Sequence, residues 1–155
     1  MFKKYIMIFL VSMVPVIELR GAIPLAVGLH MPLLPSFVVS IIGNMIPVPI
    51  IYLFARMFLE WGKDKKYIGK ICTWFLVKGE KAGKKMQKKA GVGLYFALTL
   101  FVGIPIPGTG AWTGTLAASI LDMDFKKSVL AVFLGVLLAA VIMMVFSYGL
   151  FEVIL

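Results

Sequence analysis

The chain is short of the residues from which soluble enzymes assemble active sites. Its 155 residues include one cysteine, one histidine and seven acidic side chains. Cys72 alone makes no internal disulfide, and one His, one Cys and scattered acids form neither a metal site nor a nucleophile–base pair by spacing. Charge is missing over long stretches as well. Segments 21–55, 92–121 and 128–151 hold no Asp, Glu, Lys or Arg. Each meets or exceeds the ~20 apolar residues that cross a bilayer. A soluble core of this size has no need of such runs. They are continuous, not alternating at every second residue, which favours helices over a barrel. The expected class is therefore all-α integral membrane, with no enzyme activity and no cofactor.

What remains is apolar residues and lysine. The chain is 61% hydrophobic with a mean hydropathy of +1.01. Its formal charge is +9, and ten lysines against Asp64 and Glu80 place +8 of charge between Gly62 and Gly91. The positive-inside rule makes this loop cytoplasmic. Within it Tyr67, Ile68, Ile71, Trp74 and Phe75 recur at helical spacing, interleaved with Lys66, Lys70 and Lys78. That pattern predicts a helix lying on the membrane surface with its lysines near anionic headgroups. No nucleic-acid motif accompanies the lysines, so no nucleic-acid partner is expected. Met1 to Ile17 has the look of a signal peptide, but Glu18-Leu-Arg20 follows where a small-residue cleavage site would stand. The segment is expected to be retained.

Two charges stand where lipid should be. Glu18 and Arg20 lie in Pro15-Val-Ile-Glu-Leu-Arg-Gly-Ala-Ile-Pro24, flanked by the uncharged residues 5–17 and by segment 21–55. Intramembrane ionisable groups are costly unless they pair or face a polar cavity, and by default they mark a functional site. Glu18 is the candidate proton-coupling group. Arg20 is the candidate holder of an anionic headgroup, or the partner of Glu18. At i and i+2 the two do not face each other on a regular helix, so direct pairing requires a break.

Offsetting the sequence by 92 residues aligns Leu29 and Met31 with Leu121 and Met123, Ser36 with Ser128, Gly43 with Gly135, Pro15 with Pro107 and Ala26 with Ala118. Each half carries an apolar arm, a Pro/Gly break, a second arm, a short polar corner and a long uncharged helix. The reading is one membrane domain over 1–155, with repeat one at 5–60, the basic loop at 62–91 and repeat two at 92–151. The broken elements are 5–35 and about 92–126, and the long helices about 36–59 and 128–151. Pro47 and Pro49 should kink the first long helix. Breaks are expected at Pro24 and in Gly103-Ile-Pro-Ile-Pro-Gly-Thr-Gly110. Either four full spans or two spans plus two re-entrant hairpins satisfy this pattern. Such duplications are common in transporters, whose sites lie where the halves meet.

Pro105-Ile-Pro-Gly-Thr-Gly-Ala-Trp-Thr-Gly114 is the uncharged counterpart of the Glu18 region, with Gly110 opposite Glu18 and Trp112 opposite Arg20. Gly108, Gly110 and Gly114 allow close backbone approach, while Thr109, Thr113 and Thr115 supply hydroxyls. Free backbone N–H groups at a Gly-rich helix start suit an anion. Gly110 and Gly114 also form a small-xxx-small packing pair. This is no nucleotide P-loop, since no Gly-Lys-Ser/Thr follows. Gly108, Thr109, Gly110 and Thr113 join Arg20 as candidate substrate contacts. Arg56 lies one turn before Glu60 and reads as an interfacial ion pair. His30, Asp122 and Asp124 mark the two polar corners. Asn44, beside the Pro47 kink, is expected to bond backbone carbonyls or a neighbouring helix.

At these two motifs the chain resembles the small multidrug export family, which is distantly similar to the DedA (SNARE-associated/VTT) superfamily. The resemblance implies paired re-entrant elements in an inverted repeat within a prokaryotic cytoplasmic membrane. It also implies transport, since DedA-type proteins are associated with moving polyprenyl phosphate and phospholipid between leaflets. Arg56 would stand in for the later membrane arginines of that superfamily and so joins the candidate substrate contacts. The expected partners are membrane lipids, an anionic amphipathic substrate, protons and, given the small size, a second copy of the chain. The expectation is a proton-coupled lipid carrier. The alternatives are a small multidrug exporter, a non-transporting scaffold subunit and, least supported, a membrane-embedded enzyme acting on lipid headgroups.

Overall fold

The structure is a computed structural model and describes residues 1–154. Eight helices follow one another among these residues: α1 (Phe2–Met13), α2 (Glu18–Gly28), α3 (Leu33–Met45), α4 (Pro47–Gly62), α5 (Gly69–Ala90), α6 (Gly93–Gly103), α7 (Ala111–Ile120) and α8 (Phe125–Ile154). Two of the apolar runs become helices long enough to cross a membrane, Leu33–Gly62 and Phe125–Val153. α3 and α4 form the first of these as one rod, for Ile46 between them keeps helical angles. Pro47 and Pro49 lack the N–H groups that would bond Gly43 and Met45, which locates the expected irregularity.

The shorter helices pair as hairpins. α1, α2, α6 and α7 have 10 to 12 residues each. At about 1.5 Å per residue none exceeds roughly 18 Å, well short of a ~30 Å hydrocarbon layer. Each pair returns to the end from which it started. Lys4 Nζ donates to the Leu29 carbonyl at 3.1 Å, and the Asp124 N–H donates to the Tyr95 hydroxyl at 3.1 Å.

The first break is not where it was expected. Pro24 sits inside α2, and the chain leaves helical geometry at Val14–Ile17, around Pro15. Pro24 gives up only one intrahelical bond, to the carbonyl of Arg20, and α2 continues past it. Pro15 instead opens a turn in which Val16 and Glu18 take positive φ of 73° and 50°. Gly108 and Gly110, 92 residues on, have φ of 86° and 130°. The second break lies in 104–110, as expected.

The corners match at the same offset. His30 and Asp122 have φ of 52° and 54°. Met31 N–H bonds the Ala26 carbonyl and Met123 N–H the Ala118 carbonyl, both at 3.0 Å. These are Schellman ends, with His and Asp in the left-handed position usually taken by glycine. Gly43 and Gly135 share a role too. A β-carbon on either would collide with the packed first arm of its own half, at the Phe9 carbonyl and Ser12 or at the Thr99 carbonyl and Val102.

The hairpins cross-pack. α2 lies against α8 and α7 against α4, with each also touching the long helix of its own half. The two corners consequently sit at opposite ends of α8: Asp122 shortly before its start, and Gly28 near Phe151 at its finish. Buried side chains of α2, α4, α6, α7 and α8 (Ile23, Val48, Val102, Ala118 and Val136 among them) form one core. α5 is more than a surface helix. Gly79 and Gly83 seat it directly on the backbone carbonyls of Ile120 and Leu121, where no β-carbon would fit.

Candidate functional site

The two breaks meet in the middle of the bundle, and each charge of the first half is bound by the second. Glu18 is 3% exposed. Its carboxylate accepts hydrogen bonds from the Ala111 N–H at 3.1 Å and the Trp112 N–H at 3.0 Å. These are the opening residues of α7, whose first N–H groups have no intrahelical acceptor and carry the positive end of the helix dipole. The anion seated on the Gly-rich break is thus the protein's own carboxylate. Gly110 leaves it room, since a β-carbon there would stand 2.5 Å from Glu18 Oε2.

Arg20 serves the other side of the same break. Its Nη1 donates to the carbonyls of Ile106 (2.8 Å) and Thr109 (3.1 Å). Its Nη2 donates to the carbonyls of Val102 and Ile104, both at 3.1 Å, and to Thr109 Oγ1 at 2.8 Å. Val102 belongs to the last turn of α6, where carbonyls lack helical donors, and the prolines at 105 and 107 offer no N–H groups of their own. A guanidinium is suited to this task because it carries five donors in a rigid plane and stays charged. Among the described residues Glu18 and Arg20 form no ion pair with each other. Each answers a helix end instead, the carboxylate at the start of α7 and the guanidinium at the end of α6.

Trp112 completes the arrangement and was not foreseen as a functional residue. Its indole N–H donates to the Met13 carbonyl at 3.2 Å, at the end of α1. Arg20 and Trp112 occupy matched positions, and each ties the second arm of its own half to the first arm of the other. The signal was available in the 92-residue register, but an indole seldom reads as a counterpart of arginine.

A cavity of about 530 Å³ opens beside this junction. Glu18, Arg20, Thr109 and Thr113 are its polar lining, and Gly108 borders it. Val16, Pro105, Ile106 and Pro107 from the breaks, with Ile142, Met143 and Phe146 from α8, make the remaining wall apolar. The volume lies within the ~300–1,000 Å³ typical of small-molecule sites.

The remaining candidates separate. Gly110 and Gly114 do different work: Gly110 faces Glu18, while Gly114 packs on Val102 and Leu98 of α6. Arg56 stands apart from the cavity, with Nη1 on Asp122 at 2.6 Å and Nε on Glu60 at 3.5 Å. The ten residues of α7, about 15 Å, separate Asp122 from Gly110. Asn44 is buried and its Oδ1 has no hydrogen-bond partner, and Thr115 Oγ1 is in the same condition. Nearer the basic end, Ser119 Oγ donates to the Tyr52 carbonyl at 2.7 Å, and the Tyr52 hydroxyl bonds the Met123 carbonyl. No group of His, Cys, Asp and Glu among the described residues is arranged to hold a metal.

No curated protein and no solved structure matches the chain. Residues 18–142, which run from the buried carboxylate to the cavity wall on α8, match the family described as "Putative small multi-drug export protein". With the second break, both corners and most of both long helices inside that match, the chain belongs to this family of small membrane proteins.

Proposed function

We propose that the chain is a proton-coupled transporter that moves an anionic amphipathic lipid, such as a polyprenyl phosphate or phospholipid, between membrane leaflets. One observation carries the reading: a buried carboxylate at a cavity wall is held by two peptide N–H groups at the start of a helix. Protonation removes the carboxylate charge and makes one oxygen a hydroxyl donor, a weaker acceptor for the N–H it faced. One of the two N–H groups, that of Ala111 or of Trp112, is then available to an anionic headgroup while the other stays on the carboxyl. The carboxylate and the headgroup compete for one place, so proton uptake favours headgroup binding, which is the requirement for coupling. Thr109, Thr113 and the Arg20 charge border that place, and the apolar wall suits a lipid chain. Arg20 keeps its N–H groups on the carbonyls and acts on the substrate through charge.

In this reading the two hairpins are re-entrant elements of an inverted repeat. Their short arms, the corners at opposite ends of α8 and the 92-residue match of backbone angles support it. The basic segment faces the cytoplasm of a prokaryotic cell by the positive-inside rule. Lipid transport also draws on the likeness to DedA-type proteins.

The family description and the apolar wall favour a second reading, export of an amphipathic cation attracted by Glu18. Proteoliposomes containing the wild-type protein or Glu18→Gln decide between them. Labelled polyprenyl phosphate and a cationic dye are followed with and without a proton gradient. Gradient-dependent lipid movement that vanishes in the variant is the expected result. Dye movement alone establishes the second reading, and lipid movement unchanged in Glu18→Gln removes the coupling role. A protein that moves neither is a scaffold subunit.

A further inference from the structure

We infer that a second concavity, between the end of α4 and the start of α5, is a docking site for the phosphate headgroup of an anionic phospholipid. It has a volume of about 560 Å³ and is ringed by Lys63, Lys65, Lys66, Lys70 and Lys78 with Trp74 beside them. It shares no residue with the central cavity, so it stands or falls independently of the transport reading.

Three observations build the site. First, the ring is held in shape by the backbone. A β-carbon on Gly69 would come within 2.7 Å of the Lys63 carbonyl, and one on Gly62 within 2.6 Å of Cys72 Sγ. Glycine at both positions lets the start of α5 fold back onto the end of α4, converging lysines that would otherwise splay into solvent. Second, the charge is uncompensated. Among the described residues the ion pairs involve Arg56 and Lys84, and none of the five ring lysines takes part in one. Lys65 instead lies over the Trp61 ring, 4.4 Å from its centre. Third, the rim is apolar where an acyl chain would leave the headgroup. Trp74, Ile71 and Val77 are 56%, 58% and 59% exposed.

Charge complementarity selects an anion, and several ammonium groups around one hollow suit a phosphate with more than one negative charge. The exposed tryptophans select the lipid source over a soluble one, because indoles favour the headgroup level of a bilayer. The leaflet is the one facing the basic segment, whose anionic lipids attract such clusters.

The test uses the intact chain in phosphatidylcholine bilayers containing phosphatidic acid, with lipid retained through detergent purification counted by mass spectrometry. Lys66→Gln/Lys70→Gln/Lys78→Gln is compared with Lys85→Gln/Lys88→Gln/Lys89→Gln, which removes the same charge farther along α5. The first triple should lose about tenfold of the retained phosphatidic acid and the second less than about twofold, since a diffuse basic surface would weaken equally in both. Trp74→Ala should lose retention as well. Equal losses in the two triples, or full retention in the first, overturn the site. Displacement of the lipid by millimolar inorganic phosphate overturns the lipid assignment. If the triple variant is not monodisperse, Lys70→Gln against Lys88→Gln carries the same comparison.

Discussion

The two breaks occupy matched positions in their halves and solve opposite problems. Around Val14–Ile17 the chain supplies charge, Glu18 and Arg20, but takes up positive φ at a valine and a glutamate. In 104–110 it supplies glycines where φ is positive and carries no charge, but leaves carbonyls and helix-start N–H groups in want of partners. Each break satisfies what the other lacks. The carboxylate and guanidinium are stabilised by the peptide groups of the second half, and those peptide groups by the two charges. Similar backbones have thus acquired dissimilar side chains, and the buried charges are explained by helix ends as much as by transport.

The sharpest way to break this complementarity is Arg20→Leu. It leaves the carbonyls of Val102, Ile104, Ile106 and Thr109 without their guanidinium donors. Each hydrogen bond to the charged guanidinium is worth about 1.5–3 kcal/mol and several are lost together, so the variant should fail to give monodisperse protein in detergent. Normal yield and melting temperature would show that the carbonyls find other donors. Glu18→Gln should be milder. A neutral amide turned toward two N–H donors loses charge-assisted bonds worth about 1.5–3 kcal/mol, and the melting temperature should fall without loss of the fold.

A pair of glycine substitutions sharpens the comparison further. Gly110→Ala meets both positive φ and the Glu18 carboxylate, whereas Gly108→Ala meets positive φ alone, with nothing within 4 Å of the added carbon. The first should cost about 2 kcal/mol or more and the second about 1 kcal/mol, read as a difference in thermal midpoint. Equal shifts would mean that the carboxylate does not depend on the space at 110. In the opposite direction, Val16→Gly should raise the midpoint by up to about 1 kcal/mol equivalent, because an exposed β-branched residue at φ 73° is strained. A lower midpoint would place the valine in a packing role.

The smallest effect is expected far from both breaks. Glu80 accepts a hydrogen bond from Lys84 at 2.9 Å, which with the attraction of that ammonium holds its carboxyl below the usual range. A depressed value means that any stabilisation is present above the unfolded pKa and lost as pH falls through the folded one. The pair is exposed to solvent, so Glu80→Gln should leave the melting temperature unchanged at neutral pH and in acid alike. A difference that appears only above the acid range would give the pair a structural role.

Much of the fold could be read before any coordinates. Runs without charge announced the long helices, and Pro47 and Pro49 the joint between α3 and α4. The 92-residue register set Gly43 opposite Gly135 and Gly110 opposite Glu18, without saying that the two glycines would share a role. The first break was misplaced because Pro24 is a visible helix breaker whereas the positive φ of Val16 and Glu18 leaves no mark in residue type. Arg56 proved to serve the corner at Asp122, a pairing that spans α4 and the α7–α8 turn and has no local signature.

By itself, then, the sequence determined the apolar helical class and the presence of two charges that lipid would not tolerate. Those properties reside in composition and short-range order, which determine where each segment is stable. Only the tertiary structure decided what the charges hold. The partners of Glu18 and Arg20 are peptide groups some 82 to 94 residues away. Backbone N–H and carbonyl groups are common to nearly every residue, so no residue type advertises which of them a fold will leave unpaired and bring within reach of a charge.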